Sequence, residues 1–138
     1  MLNVISPDEC LHLLGTVKVG RVGLSIDALP AILPVNFCVL DGDIVLRTVE
    51  GTKFHAAASG AVLAFEADGY ELDGTTGWSV LVQGVSKVVT EPLELLRVGE
   101  LNLESWALDG AADQFVRITS SRVSGRRFSR GPSIQTST

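Results

Sequence analysis

The segment Arg47-Thr48-Val49-Glu50-Gly51-Thr52-Lys53 gathers side chains suited to holding an anion. It leads into residues 54–59, a short alanine-rich run predicted to be helical. The first N–H groups of a helix have no partner inside the helix, and the helix dipole is positive there. Gly51 lets the backbone come close to a ligand, Thr52 adds a hydroxyl and Lys53 a full charge. These features suit a phosphomonoester, although an ordinary capped helix with a surface lysine would carry the same residues.

Two neighbours in this segment need not act together. Arg47 and Thr48 close a predicted strand, and alternate strand residues point to opposite faces, so both could reach one ligand only if the strand is already ending. His55 is the only histidine near the segment. A half-exposed helix residue and a catalytic residue are both open interpretations of it.

The longest predicted strand, residues 78–89, offers a second candidate. Trp78 lies on one face of it, with Val80 and Val82, and Ser79 lies on the other. A half-buried tryptophan is commonly a core anchor. A wall for a flat aromatic ligand is the alternative.

Sequence motifs for several other chemistries are missing. There is no G-x-S-x-G elbow, no Walker A loop and no G-x-G-x-x-G fingerprint. Cys10 and His12 lie two apart on a predicted helix and so point to different faces, which disfavours a zinc site in a chain with two cysteines and two histidines. The acids Asp68, Glu71 and Asp73 lie in a predicted loop, where a solvated surface is a simpler interpretation than a glycosidase pair.

Composition limits the class of protein. The 138 residues, 46% hydrophobic and 20% charged, predict one globular domain. Eleven basic against sixteen acidic residues give a net charge of −5, which argues against nucleic acid or an anionic membrane as partner. No apolar stretch approaches the ~20 residues that span a bilayer, and the first residues do not resemble a signal peptide. Two cysteines indicate reduced thiols in a cytoplasmic protein.

The C-terminal end is rich in arginine. Residues 117–138 carry five arginines and no acid, whereas residues 66–113 carry ten acids. Such an asymmetry can mark a nucleic-acid patch. The overall negative charge and the lack of interleaved aromatic residues favour a strand edge that balances the acidic body, or a local anion site.

Helix signals occur at three places. Ser6 is a candidate N-cap, with Pro7 at the first helical position, Glu9 completing a capping box and Gly15 as the stop. Further helices are predicted at 54–59 and 92–103.

Strands are predicted at 21–26, 30–40, 44–49, 61–67, 78–89 and 115–119, and an extension of the last strand through Val123 is left open. Residues 41–43 form a hairpin turn signal, Gly84 predicts a bulge or bend, and 68–77 is predicted to be a loop. Six strands in hairpin order with three short helices predict a mainly β, α+β protein rather than a doubly wound sheet. Several strands are apolar on both faces, which favours a small closed barrel with a second layer outside it, either a helix or another subunit.

Six short motifs, in this order along the chain up to Phe128, resemble the pyridoxamine 5′-phosphate oxidase-like family of flavin-binding split barrels, and above all its small bacterial FMN-binding branch. The motifs are Val19-Gly20-Arg21-Val22, Pro34-Val35-Asn36-Phe37, the segment from Arg47 to Lys53, Val62-Leu63-Ala64-Phe65-Glu66-Ala67-Asp68, Gly77-Trp78-Ser79-Val80-Leu81-Val82-Gln83-Gly84 and Ser124-Gly125-Arg126-Arg127.

The resemblance implies a six-stranded antiparallel split β-barrel that forms a homodimer, with residues 1–128 as one flavin-binding domain. Residues 129–138 are polar and contain Gly131 and Pro132, which predicts a flexible tail. Two FMN molecules would lie in clefts at the dimer interface. The cofactor-binding residues it implies are Arg47, Thr48, Thr52 and Lys53 for the phosphate and ribityl chain, Asn36 and Phe37 beside the ring, and Trp78 and Ser79 from the long strand of the same or the partner subunit.

The C-terminus departs from the true oxidase. The oxidase carries further basic residues that grip its pyridoxal-type substrate, and the run from Arg126 to Gly131 lacks that motif. The resemblance therefore implies an FMN-dependent oxidoreductase of unknown substrate, with reduced nicotinamide or a reduced deazaflavin as possible donor. The alternatives are a deazaflavin-dependent reductase, a non-catalytic protein that binds flavin, deazaflavin or haem, and a ligand-free barrel dimer.

Overall fold

The computed structural model describes residues 2–101, 103 and 113–130. Within these ranges the chain forms eight strands and three helices. In chain order they are β1 (Leu2–Ile5), α1 (Pro7–Leu14), β2 (Val19–Ile26), β3 (Leu29–Leu40), β4 (Asp43–Val49), α2 (Lys53–Ala58), β5 (Val62–Tyr70), β6 (Thr76–Val88), α3 (Pro92–Gly99), β7 (Asp113–Ile118) and β8 (Arg122–Ser129).

Six of the strands close into an antiparallel barrel. Their order is β6-β5-β2-β3-β4-β7, and β7 pairs again with β6. Strands β8 and β1 extend the sheet outside the barrel, with β8 hydrogen-bonded to β6. The predicted six-stranded antiparallel barrel is confirmed.

Strand β6 changes partners where a bend was predicted. It pairs with β5 and β8 up to the region of Gly84, and with β7 from Ser86 onward. A Cβ on Gly84 would lie 1.6 Å from the carbonyl oxygen of Thr119. Glycine is therefore required here for steric reasons, because the turn after β7 crosses directly over the strand.

Two tight turns connect strands of the barrel. Asp41 and Gly42, with φ of +50° and +81°, join β3 to β4, so the predicted hairpin is confirmed. Asp27 and Ala28, with φ of +52° and +66°, join β2 to β3 without a glycine. The turn between β2 and β3 places the Asp27 carboxylate beside Lys53, the first residue of helix α2.

Helix α1 begins as predicted. The Oγ of Ser6 accepts a hydrogen bond from the backbone N–H of Glu9 at 3.2 Å, and Pro7 occupies the first turn. Helix α3 ends at Gly99, earlier than the predicted Leu103. The chain turns there, and Leu103 packs in a small cluster with Val98 and Val45 instead.

The remaining differences from prediction lie at the ends of strands. Strand β1 was not predicted, and residues 119–121 form a turn that separates β7 from β8, where one strand through Val123 had been considered. Strands β5 and β6 shorten the predicted loop to residues 71–75. Most of the predicted tail, residues 131–138, lies outside the described residues.

The core fills the barrel, and a smaller cluster lies under α3. None of the helices in the described part of the chain is long and apolar enough to span a bilayer. Along β5, β6 and β8 the side chains alternate between this core and an outer face. Facing inward are Leu63, Phe65, Ala67, Val80 and Val82. The outer face carries Val62, Ala64, Glu66, Asp68 and Tyr70 of β5, Ser79, Leu81, Gln83 and Val85 of β6, and Arg122, Ser124, Arg126 and Phe128 of β8.

Candidate functional site

The junction between β4 and α2, which carries the predicted anion site, is a capped turn. Thr52 is the N-cap of α2: its Oγ1 accepts a hydrogen bond from the N–H of His55 at 3.0 Å and donates one to the carbonyl of Val49 at 2.7 Å. Gly51 has φ of +89°, a conformation that side chains rarely adopt, and open space where a Cβ would lie. The glycine is therefore needed for the turn.

Lys53 presents its ammonium group to solvent at this junction. Its Nζ lies 2.8 Å from a carboxylate oxygen of Asp27, and the two side chains are 78% and 67% exposed. An ion pair this exposed contributes at most about 1 kcal/mol. An anionic ligand could therefore replace Asp27 as the partner of Lys53 at little cost.

Thr48 lies behind this surface. It is 2% exposed, and its Oγ1 lies 2.7 Å from Nδ1 of His55. The hydroxyl donates to an unprotonated Nδ1 or accepts from a protonated one, and either arrangement ties α2 to β4. Thr48 thus orients His55 and does not reach the surface itself.

Arg47 points the other way, as strand alternation requires. Its guanidinium donates to the carbonyl oxygen of Leu103 at 2.7 Å, pairs with Asp113 and lies 5.7 Å from the ring centre of Phe115. Its buried Nε has no hydrogen-bond partner among the described residues. The structure therefore separates Arg47 from Thr48, Thr52 and Lys53.

Asn36 and Phe37 are likewise divided between two faces of β3. Phe37 is 4% exposed and packs edge-on against Phe65, with ring centres 4.6 Å apart. Asn36 pairs with Val19 of β2, and its side chain points away from the barrel core. Phe37 is therefore buried beneath any ligand-binding surface on β3 and can stabilise that surface without contacting the ligand.

Trp78 and Ser79 divide in the same way. The indole of Trp78 lies against Gly69, where an added Cβ would be 2.6 Å from its Nε1. It lines a cleft of about 430 Å³ with Tyr70, Arg127 and other residues at the ends of β5, β6 and β8. Ser79 belongs to the outer face, as its alternation with the buried Val80 requires.

The eight predicted residues thus form no single cluster within one chain. Thr48, Thr52 and Lys53 gather around the start of α2, with His55. Asn36 and Ser79 share the face of the sheet that points away from the core, while Phe37 and Trp78 point inward or half inward.

A charged cluster on the outer face was not predicted as a site. Nη1 of Arg21 lies 3.1 Å from Glu66 and 3.3 Å from Asp68. Burial, followed by the neighbouring Asp68, raises the pKa of Glu66 from its ordinary 4.5 to about 7. The sequence signal that could have predicted this cluster is the spacing of Glu66 and Asp68, which puts both acids on one face of a strand. Arg21 in another predicted strand was a candidate partner for them.

The two cysteines are not activated nucleophiles. Burial raises the pKa of the Cys10 thiol, with the nearby Glu9 adding to the effect, and burial alone raises the pKa of the Cys38 thiol. Both are therefore protonated thiols at neutral pH. Across the described ranges, no three His, Cys, Asp or Glu side chains converge as metal ligands would.

Comparison with known proteins covers almost the whole chain. The sequence model of the family described as pyridoxamine 5′-phosphate oxidase matches residues 6–127. An uncharacterized protein of Mycobacterium tuberculosis, Rv0080, is 39% identical over 126 residues, which is 88% of this chain and 82% of that protein.

Solved structures show the same fold. The FAD binding protein from Mycobacterium smegmatis superposes with a TM-score of 0.81 at 34% identity, covering 91% of this chain and 99% of that one. A FAD-binding protein from Mesorhizobium loti superposes with a TM-score of 0.76 at 22% identity, covering 94% and 98%, and this likeness concerns the fold alone.

Proposed function

The chain belongs to the pyridoxamine 5′-phosphate oxidase family, and we propose that it binds a flavin, with FMN as the first candidate, and acts as an oxidoreductase on a small molecule. The exposed ammonium of Lys53 beside the Thr52 cap carries this proposal. The 34% identity with a protein named for FAD binding supports it. The substrate class is open, because the oxidase's C-terminal substrate motif is missing from the sequence.

The residues at the junction of β4 and α2 fit a phosphate in part. Lys53 supplies a charge whose present partner is a weakly held surface carboxylate. Thr52 holds the turn, and its hydroxyl could exchange its bond to Val49 for one to a phosphate oxygen. Arg47 would have to leave Asp113 to reach the same anion. In this proposal Arg47 therefore does not contact the phosphate, and it stabilises β4 through its bonds to Leu103 and Asp113.

The ring would require a second set of residues. The amide of Asn36 and the hydroxyl of Ser79 point away from the core and can donate to polar ring atoms, while Phe37 stiffens the wall behind them. When bound, a flavin supplies hydride transfer at its N5. The hydroxyl of Thr48, 2.7 Å from Nδ1 of His55, fixes the imidazole on the same short helix as Lys53.

We further propose that two copies associate and that each flavin lies between them. The division of the candidate residues between separate parts of one chain supports this arrangement. Reduced nicotinamide or a reduced deazaflavin would be the donor, and the cytoplasm the location.

The experiment is purification followed by mass spectrometry of any small molecule that copurifies, and titration with FMN, FAD and a deazaflavin. Bound flavin absorbs visible light, and a deazaflavin absorbs at shorter wavelength. Bleaching by a reduced donor and recovery with an acceptor would support the oxidoreductase. A bound flavin that never cycles would support a carrier instead. Failure to bind any of the three would contradict the proposal.

A further inference from the structure

The cleft of about 430 Å³ at the ends of β5, β6 and β8 has no role in the flavin proposal. Three aromatic residues, Tyr70, Trp78 and Phe128, contribute to its lining. Its volume is within the range of pockets that hold small molecules, which combine aromatic walls with a few well-placed polar groups. The cleft is therefore a candidate for a second small-molecule site.

Two glycines let the aromatic rings of the cleft lie close to the sheet. An added Cβ on Gly69 would lie 2.6 Å from Nε1 of Trp78, and one on Gly77 would lie 2.5 Å from Cζ of Phe128. Phe128 also contacts Tyr70, with ring centres 5.8 Å apart. The rings are therefore held in place before any ligand arrives, and binding need not order them.

The indole N–H of Trp78 is a donor without an acceptor among the described residues. Tryptophan side chains that are largely covered usually donate this hydrogen bond to a partner. Gly69, the residue beside the N–H, lines the same cleft. An acceptor bound in the cleft can therefore take this hydrogen bond.

Arg127 brings a positive charge to the same row of side chains. It pairs with Trp78 across β8 and β6, and with Asn3 across β8 and β1. Its Nη2 lies 2.6 Å from a carboxylate oxygen of Glu9, but the two side chains are 46% and 51% exposed, so this ion pair is weak. A guanidinium has further N–H donors for a second carboxylate. Within the arginine-rich C-terminal end, Arg127 is thus placed to bind an anion.

These donors lie on a different face from the surface proposed for the flavin. The cleft is at the end of the sheet, so residues of both faces line it. Trp78 and Arg127 share the face that helix α1 covers. A Cβ on Gly125, two residues before Arg127, would lie 2.5 Å from Sγ of Cys10 in that helix. Ser79 points to the opposite face, so the cleft is separate from the flavin surface.

We propose that this cleft binds a small planar aromatic carboxylate, whose carboxylate accepts from Arg127 and the indole N–H of Trp78 while its ring lies against the aromatic lining. Glu71, which is exposed, also lines the cleft. A second negative charge on the ligand would be repelled there, so a monocarboxylate suits the cleft better than a phosphate ester. The inference goes beyond the proposed flavin and does not depend on it.

The test is titration of the full chain with 2-naphthoate, followed by calorimetry. Three comparison compounds separate the contributions: 2-naphthamide lacks the charge, cyclohexanecarboxylate lacks the aromatic ring, and 2-naphthyl phosphate adds a charge. Each should bind roughly tenfold or more weakly than 2-naphthoate.

The indole N–H resonance of Trp78 in a ¹⁵N-labelled sample reports the site directly. The chain has two tryptophans, and Trp106→Phe identifies the signal of Trp78. 2-Naphthoate should shift that signal with the same saturation curve that calorimetry gives. Absence of a saturable shift up to ~10 mM, beyond the range of weak specific binding, would overturn the proposal.

Two variants act on the charge in opposite directions. Arg127→Gln should weaken 2-naphthoate roughly tenfold or more and remove its advantage over 2-naphthamide. Glu9→Gln removes the carboxylate that competes for Arg127 and should tighten 2-naphthoate several-fold. If the pair of Glu9 and Arg127 were only structural, neither variant would tighten binding. Arg122→Gln, which removes an exposed arginine of β8 outside the cleft, is the control and should leave affinity unchanged.

Thermal unfolding and the dispersion of the amide spectrum establish that each variant is folded before it is titrated. Unchanged affinity in folded Arg127→Gln, no tightening in Glu9→Gln, or equal binding of 2-naphthoate and 2-naphthamide would each overturn the proposal. 2-Naphthoate should bind equally well at saturating FMN, and its displacement by FMN would refute a separate site. A chain that binds 2-naphthoate but no flavin contradicts only the flavin proposal.

Discussion

Oγ1 of Thr48 and Nδ1 of His55 lie 2.7 Å apart, and this hydrogen bond joins the end of strand β4 to helix α2. This bond lies beneath the proposed anion site, and Lys53 lies at the surface of that site. The bond is sheltered because Thr48 is 2% exposed. Removing this bond should therefore weaken the packing of α2 against β4, and any effect on ligand binding would follow from that change.

Thr48→Val keeps the shape of the side chain and removes the hydroxyl. We expect a loss of about 1–2 kcal/mol in the free energy of unfolding, because the imidazole loses its partner in a partly buried place. Urea denaturation measures it. Thr16→Val, which removes an exposed hydroxyl bonded to the carbonyl of Leu13, is the control and should cost less. Equal effects of the two changes would contradict a sheltered bond.

Lys53→Ala tests the proposed anion contact. Flavin affinity should fall by about 1.5–3 kcal/mol, or roughly ten- to hundredfold, because a charge-assisted contact to phosphate is lost. Unfolding should change little, since the pair with Asp27 is exposed. Lys18→Ala removes another exposed lysine and should leave affinity unchanged. Unchanged affinity in Lys53→Ala would remove this residue from the site.

Glu66 should make the stability of the separated chain fall as pH rises. Its folded pKa, about 7, lies above its ordinary 4.5, so the folded chain holds a proton that the unfolded chain has lost between these values. The contribution is fully present below pH 4.5 and is lost as pH rises through 7. Denaturant unfolding in dilute protein, where copies separate, measures it. Glu66→Gln should flatten the pH profile over this window, and identical profiles would refute the assignment.

Gly84→Ala tests the crossing of β6 by the turn after β7. An added Cβ would lie 1.6 Å from the Thr119 carbonyl oxygen, so backbone must shift. We expect a loss of about 1–3 kcal/mol or more, measured by thermal or urea unfolding. Gly99→Ala at the end of α3, where nothing lies within 4 Å of the added carbon, is the matched control. A stable Gly84→Ala protein would contradict the steric account.

Local signals explain what the sequence could predict of the fold. The Ser6 cap, the Asp41-Gly42 turn and the bend at Gly84 each depend on neighbouring residues or on one special conformation. Whether the last predicted strand stops at Thr119 or continues through Val123 was left open, because threonine suits a strand whereas the two serines that follow it suit a turn. The four-residue β1 was missed because a strand this short has little periodicity of its own.

The site was harder to predict because its partners come from distant parts of the chain. Alternation correctly warned that Arg47 and Thr48 diverge, but no local pattern could show that Arg47 pairs with Asp113, 66 residues away. Likewise, the pairing of Arg21 with Glu66 and Asp68 exists only because β2 lies beside β5. Closure of the barrel, rather than residue type, decides these contacts.

Titration of the purified protein with FMN and FAD, followed by visible absorbance and by sedimentation of the same samples, tests the central claim most directly. We predict one flavin per chain, bound to a dimer and weakened by Lys53→Ala. A protein that leaves both flavins and a deazaflavin free in solution would contradict it.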